Sequence, residues 1–429
     1  MATRVAVVGG GTAGFMAAAH LSRHFPELQL VQVLDPRIPT IGVGEGTTPG
    51  FRSWLDDVSG ADFPSLQREL RATRKRGVQF ENWGRIHRSF CHDFVPADAV
   101  GLHLSASQLV VFLRRYVRGE LLEAHVAGIE GGEDGAVVKL EDGRDIEVDV
   151  AVDARGFPRS LDHRHLALSW IPTNSALVTR TPLIRPELDR TRAVARSHGW
   201  VFVIPLTGDT AYGYIYGRET AAQDEVMADF GELLASEGIS EYVEPRSIQF
   251  PNYLCKLPFQ GRVLKLGNAA SFIEPLEATA IAIVRYELNF LSAWLRAFEA
   301  ARGGRIAAHL VGELNRRYVE LVLEVSLFVG WHYAEGSVFD TEFWRRARAR
   351  FHRDLDSAVP AAVRERFLEQ VDHASRIRPG ALAALRTAED LERVIPEHRR
   401  FPPPFGGMTP LGFAQVARGI GYSLVATSG

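Results

Sequence analysis

The first 35 residues constrain this 429-residue chain more than any other stretch. RVAVVGGGTAGFMAAAHLSRHFP reads as an apolar strand, a glycine turn and a helix; LQLVQVLDP follows as a second strand ending in an acid. That order is a βαβ unit. Gly9-Gly10-Gly11-Thr12-Ala13-Gly14 fits the spacing G-x-G-x-x-G. Gly9 permits the tight turn, Gly11 lets backbone approach a pyrophosphate, and Gly14 allows close packing of helix on strand. Thr12 and Ala13 open the helix, whose free N–H groups and partial positive charge face the phosphates. Asp35, 21 residues after Gly14, ends the second strand, where a carboxylate accepts hydrogen bonds from ribose hydroxyls.

Further along, FRSWLDDV and SLQRELRATRK read as helical, and VVFLRRYVRGELLEAHVAG as one long amphipathic helix. AVVKLEDG and DIEVDVAVDARG read as strands. LALSWIPTNSALVTRTPL and GWVFVIPLTGDTAYGYIYG are strand-rich with turn chemistry between them. RVLKLGNAASF returns to strand–turn–helix order, the chain from residue 280 is mostly helical, and RFPPPFGG (400–407) marks a loop. The partition expected is a discontinuous nucleotide-binding domain of residues 1–165 plus 256–300, a substrate-side sheet domain of 166–255, and a C-terminal helical region of 301–429.

Composition excludes several classes. A formal net charge of −3 argues against a nucleic-acid partner. The two cysteines, Cys91 and Cys255, make neither a disulfide framework nor a zinc site. HExxH, GxSxG and GxxxxGK[ST] are absent, and the 14 histidines lack ligand spacing, so no metal site is expected. His92 and His332 read as hydrogen-bonded structural residues. With no leader-like N-terminus and no run of about 18 apolar residues, a cytoplasmic protein without a membrane partner is expected.

A second dinucleotide fingerprint is missing, yet LKLGNAASFIEPLEATA (264–280) has strand, small-residue turn and helix start. Its small residues let a flat ring system lie against backbone, which turns the cofactor expectation from NAD to FAD. IGVGEGTTPGF (41–51), ENW (81–83) with a lysine eight residues before Trp83, GNAASFIEPLEATA, and HYAEGSVFDTEFWR (332–345) occur in that order. Together they resemble the flavin-dependent tryptophan halogenase family.

The resemblance implies FAD and an α/β fold: a Rossmann-type FAD-binding domain with an inserted substrate sheet domain and a C-terminal helical region. It places Gly42, Val43, Gly44 and Glu45 in a flavin-contacting loop, and Gly267, Asn268, Thr279, Ala280 and Ile281 in a second flavin and halide segment. On composition alone Lys75 belongs with Arg71, Arg74 and Arg76 on a solvated basic face. The resemblance instead puts it between flavin and substrate. Glu277 either caps the following helix or serves as base or electrostatic stabiliser for a ring under electrophilic attack. Glu274 reads as structural. Trp200 and Phe202 alternate on a strand and share one face; with Pro205 they are expected at the substrate pocket.

Two departures stand out. The family pattern W-x-W-x-I-P has phenylalanine, Phe202, at its second tryptophan, and the Thr-Gly after EPLE is Thr279-Ala280. A smaller wall residue lets substrate approach the flavin edge. The function expected is therefore FAD-dependent hydroxylation of an indole through a flavin hydroperoxide. Within the family the chain is similar to the flavoprotein monooxygenases that mature cysteine tryptophylquinone in quinohaemoprotein amine dehydrogenase. That resemblance implies a partner protein carrying the target tryptophan; as the sequence offers no obvious nicotinamide site, reduced flavin is expected from a separate reductase. The alternatives are a halogenase of tryptophan or another electron-rich aromatic, and a FAD-containing assembly factor without turnover.

Overall fold

The computed structural model describes residues 2–38, 42, 44–84, 88–95, 98–376 and 406–421. Its organising layer is a five-stranded, all-parallel sheet in the order Val263–Lys265, Val150–Asp153, Arg4–Val8, Gln29–Leu34, Glu120–Glu123. The helix Thr12–His24 packs on it and buries Phe15, Met16 and Leu21. Arg4–Val8 is all but fully enclosed, as a central parallel strand covered on both faces must be. The architecture is mixed α/β.

The second layer is a seven-stranded sheet, ordered Arg246–Gln249, Ser175–Thr181, Thr210–Tyr216, Gly199–Pro205, Thr191–Arg196, Gly77–Glu81, Ser89–Asp93. All its neighbours are antiparallel except Thr191–Arg196 and Gly77–Glu81. It thus takes strands from both sides of residue 165. The helix Thr279–Ala300 packs on Thr12–His24 and on Ala308–Glu335, and Pro410–Ile420 lies across Ser89–Asp93.

Three segments differ from the periodicity reading. SLQRELRATRK is helical only to Leu70. Arg71 then turns left-handed (φ 56), tied by its guanidinium to Asp209 at 3.0 Å, and Thr73–Lys75 pairs as a strand with Gly101–Leu104. Lys75 therefore belongs to a sheet, where pairing overrides helix propensity. In VVFLRRYVRGELLEAHVAG the helix stops at Arg114. Gly119 takes φ 144, and a Cβ there would lie 2.3 Å from Leu30 O; Glu120–Glu123 then forms the edge strand. Finally, RVLKLGNAASF makes a short 3₁₀ turn, Gly267–Ala269, and a two-residue strand; its helix waits until Thr279. Residues 400–405 of the proline-rich stretch lie outside the described residues.

Candidate active site

Between the two sheets lies a cavity of about 1120 Å³. One end is the glycine loop. Gly9 has φ 141 and sits so close to the next strand that a Cβ would come within 2.4 Å of Ala154 O. A Cβ on Gly14 would lie 2.2 Å from Gly9 O, so only glycine lets the helix start this near the strand. Gly11 faces open space, and Gly10, Gly11, Thr12 and Ala13 line the cavity. This is a phosphate cradle: bare backbone at a helix N-terminus with room in front of it. Gly267 (φ 56) stands against Ala13 from the opposite side, where a Cβ would lie 2.4 Å from that of Ala13. The loop, the small residues Gly267 and Asn268, and Ala280 and Ile281 form one wall that fits a dinucleotide with a flat ring.

Asp35 is on that wall, but its carboxylate already accepts from Arg37 Nε and Nη2 (2.9 and 2.8 Å) and faces His125 Nδ1 at 2.8 Å. The Arg37 hydrogen bonds hold it well below the usual carboxylate range. Gly44 and Glu45 reach the cavity. Gly42 is off its wall, with its carbonyl accepting from Arg180, and Val43 lies outside the described residues. Thr279 is also off the wall, its hydroxyl donating to Glu274 O at 2.8 Å. Pro205 ends its strand away from the cavity and accepts from Thr73 Oγ1.

Lys75 is on the wall and only 1% exposed. The solvated basic face does not include it. Its Nζ would lie 2.9 Å from a Cβ on Gly46, beside Thr191 Oγ1, and 5.7 Å from the centre of the Phe94 ring. Burial lowers its pKa to about 8, against the pull of Glu277 and Glu45. Glu45 is itself raised to about 7 by burial, with Lys75 opposing. Behind Lys75, His103 is fully buried between Thr73 Oγ1 (3.1 Å) and Thr191 Oγ1 (2.9 Å). Burial and the Lys75 charge hold it neutral.

Glu277 sits behind the wall and not on it, 6% exposed. His92 Nδ1 lies 3.0 Å from both of its oxygens, and His332 Nε2 lies 3.1 Å from Oε1. Burial pushes this carboxyl up, but the two histidines more than offset that and bring it to about 2. The His92 imidazole is in turn raised, burial being outweighed by Glu277. Ala278, next in the chain, is left-handed (φ 56), a conformation a non-glycine residue adopts at a cost of about 1 kcal/mol or more. That kink precedes the helix Thr279–Ala300, whose N-cap position is Ala278 and takes no side-chain cap; of the two roles open to Glu277, capping this helix is not the one it plays.

Three residues earlier, Glu274 is fully buried, accepting from Tyr333 Oη at 2.6 Å and from Thr173 Oγ1. Burial raises it to about 7 despite those bonds and the nearby Trp200 indole. Trp200 and Phe202 line the cavity together. The Phe202 ring lies over Gly213 of the neighbouring strand, where a Cβ would meet it at 2.2 Å. His92 and His332 are thus part of the site although nothing in their sequence spacing marked them. Among the described residues no cluster of His, Cys, Asp and Glu could hold a metal ion, and no helix is long and apolar enough to cross a membrane.

The tryptophan halogenase family model matches residues 4–100 and 97–376. The chain belongs to the tryptophan halogenase family. Among curated members, tryptophan 6-halogenase SttH of Streptomyces toxytricini is 25% identical, over 85% of this chain and 83% of that protein. Tryptophan 7-halogenase RebH of Lentzea aerocolonigenes is 24% identical, over 80% and 78%. Among solved structures, the flavin-dependent halogenase BrvH from Brevundimonas sp. BAL3 superposes with a TM-score of 0.76 at 22% identity, covering 98% of this chain and 90% of that one. Membership implies FAD, and the chain is a flavin-dependent, tryptophan halogenase-like enzyme.

Proposed function

We propose that this protein oxidatively functionalises an indole, in the manner of the halogenases it resembles, with Lys75 and Glu277 as its catalytic residues. One observation carries the reading: a buried ammonium on the wall of the cofactor cavity stands within electrostatic reach of a buried, ionised carboxylate. The glycine loop, Asp35, Gly267, Asn268, Ala280 and Ile281 would hold FAD. When bound and reduced, FAD supplies the activation of dioxygen that produces an electrophilic oxidant.

The protein's own part is to orient and to move protons. Lys75 is poised near neutrality, so its ammonium can donate a hydrogen bond to the oxidant and hold it against the indole. Electrophilic attack places positive charge on the ring. Glu277, ionised and buried just behind the cavity wall, stabilises that charge electrostatically. The buried pair excludes solvent that would otherwise intercept the oxidant. The comparisons favour a halogen as the group transferred.

Indole hydroxylation is the second reading, and Phe202 favours it. A phenylalanine in place of the family's second tryptophan leaves less bulk beside Trp200 on the cavity wall, and direct oxygen transfer needs close approach of substrate to flavin. The target is then a tryptophan within a partner protein, with reduced flavin delivered by a separate reductase. One experiment separates the readings. FAD-loaded protein is reduced by a flavin reductase and given ¹⁸O₂, bromide, free tryptophan and a tryptophan-bearing protein. Mass spectrometry expects bromine in the indole. Labelled oxygen in its place establishes the hydroxylase, and absence of any modified indole overturns both.

A further inference from the structure

A chain of hydrogen bonds ends on the cavity wall beside Lys75, and chemistry fixes its directions. Glu45–Gly46, Gly101–Leu104 and Thr73–Lys75 form a three-stranded sheet in that order, with His103 directly opposite both Gly46 and Thr73. Thr73 Oγ1 lies 2.8 Å from Pro205 O, and a carbonyl only accepts, so the one hydroxyl proton of Thr73 goes there. His103 Nδ1, 3.1 Å from the same Oγ1, must then be a donor. The ring is fully buried and neutral, so its Nε2 is a lone pair and takes the hydroxyl proton of Thr191 at 2.9 Å. Thr191 Oγ1 has no proton left to give. On the cavity wall it presents lone pairs alone.

The donor beside those lone pairs is the Lys75 ammonium. A Cβ on Gly46 would lie 2.9 Å from Lys75 Nζ and 3.1 Å from Thr191 Oγ1, so the bare backbone of Gly46 leaves the two groups one shared space. We propose that Thr191 is the positioning residue for Lys75, accepting one N–H of its ammonium while His103 keeps the hydroxyl an acceptor. The inference rests on the reading of Lys75 as the group that holds the oxidant. An ammonium has three N–H donors. One given to Thr191 fixes the head of the side chain against the wall, and two remain for the cavity. Glu45 and Glu277 attract Lys75 by charge, which sets no direction. Of its other titratable neighbours, His92 repels it from behind Glu277 and His103 stays neutral. A hydroxyl free to turn could aim its own proton at the ammonium; the relay through His103 and Thr73 to Pro205 O forbids that. Thr191 opens the strand Thr191–Arg196 of the seven-stranded sheet, so the docking of one sheet on another decides where the ammonium points.

The sequence has four lysines, Lys75, Lys139, Lys256 and Lys265, so Lys75 can be followed by itself. FAD-loaded, full-length protein with lysine labelled by ¹³C at Cε is titrated by NMR, the Lys75 signal being assigned by its loss in Lys75→Met. Thr191→Val keeps the shape and removes the hydroxyl; Thr191→Ser restores it. Thr191→Val is expected to lower the Lys75 midpoint by about one pH unit, the tenfold loss of proton affinity that one hydrogen bond to a charged group gives. Thr191→Ser is expected to keep the wild-type midpoint. The alkaline limb of product formation should move to lower pH with the midpoint. A midpoint unchanged in Thr191→Val, or lowered equally in Thr191→Ser, overturns the proposal. Long-range ¹H–¹⁵N NMR of the wild-type imidazoles, with His103 assigned by its loss in His103→Gln, is a second readout. His103 is expected neutral with its proton on Nδ1; a neutral ring protonated at Nε2 overturns the proposal. If no form of the enzyme makes product, the functional reading fails instead, and the Lys75 midpoint still decides whether Thr191 holds the ammonium.

Discussion

Replacing Lys75 by methionine should stabilise the fold while abolishing activity. The side chain is 1% exposed, and burial takes its pKa from the ordinary 10.5 to about 8 even with Glu277 and Glu45 nearby. Each tenfold change in proton affinity is worth about 1.4 kcal/mol, so keeping this ammonium charged in the fold costs about 3 kcal/mol. Below pH 8 both folded and unfolded chains carry the proton and the cost is present in full. Between pH 8 and 10.5 the unfolded chain retains a proton that the folded chain has released, so wild-type stability rises with pH. Methionine fills a similar volume without charge. Urea unfolding at saturating FAD should therefore show Lys75→Met more stable by about 3 kcal/mol at pH 7, the gap closing towards pH 10.5. The same variant should bind FAD and form no product. A variant less stable than wild type at pH 7, or a gap indifferent to pH, would refute the account of a strained buried charge.

Two further outcomes follow from close contacts and buried acids. Gly14→Ala places a Cβ 2.2 Å from Gly9 O, so the protein should be isolated without flavin, read from its visible absorbance. Glu274 keeps its proton in the fold to about pH 7, whereas the unfolded chain releases it near 4.5. Wild type should thus lose about 3 kcal/mol relative to Glu274→Gln as pH rises from 4.5 to 7, seen as diverging urea midpoints; parallel curves would show that Glu274 is ionised throughout.

Much of the cofactor half was legible because its signals are local. A turn that tolerates no Cβ at Gly9 or Gly14 must be written as glycine at fixed spacing, and the strand and helix flanking it declare themselves by apolar period. The same logic failed at Thr73–Lys75 and Glu120–Glu123, where short segments with helical composition are captured by neighbouring strands. Their conformation belongs to the partner strand as much as to themselves.

The sequence by itself determined the βαβ unit, the glycine loop, the placement of Lys75 and Glu277 within family motifs, and the substitution of Phe202. What only tertiary structure decided is the state of the site. Glu277 meets His92 of a strand 185 residues away in the chain, and His332 reaches the same carboxylate from the helix Ala308–Glu335. Whether a lysine is a wet surface charge or a buried acid near pH 8 depends on how much water is removed around it and which carboxylates remain. Desolvation is a sum over everything packed nearby, so no short window of sequence can contain it.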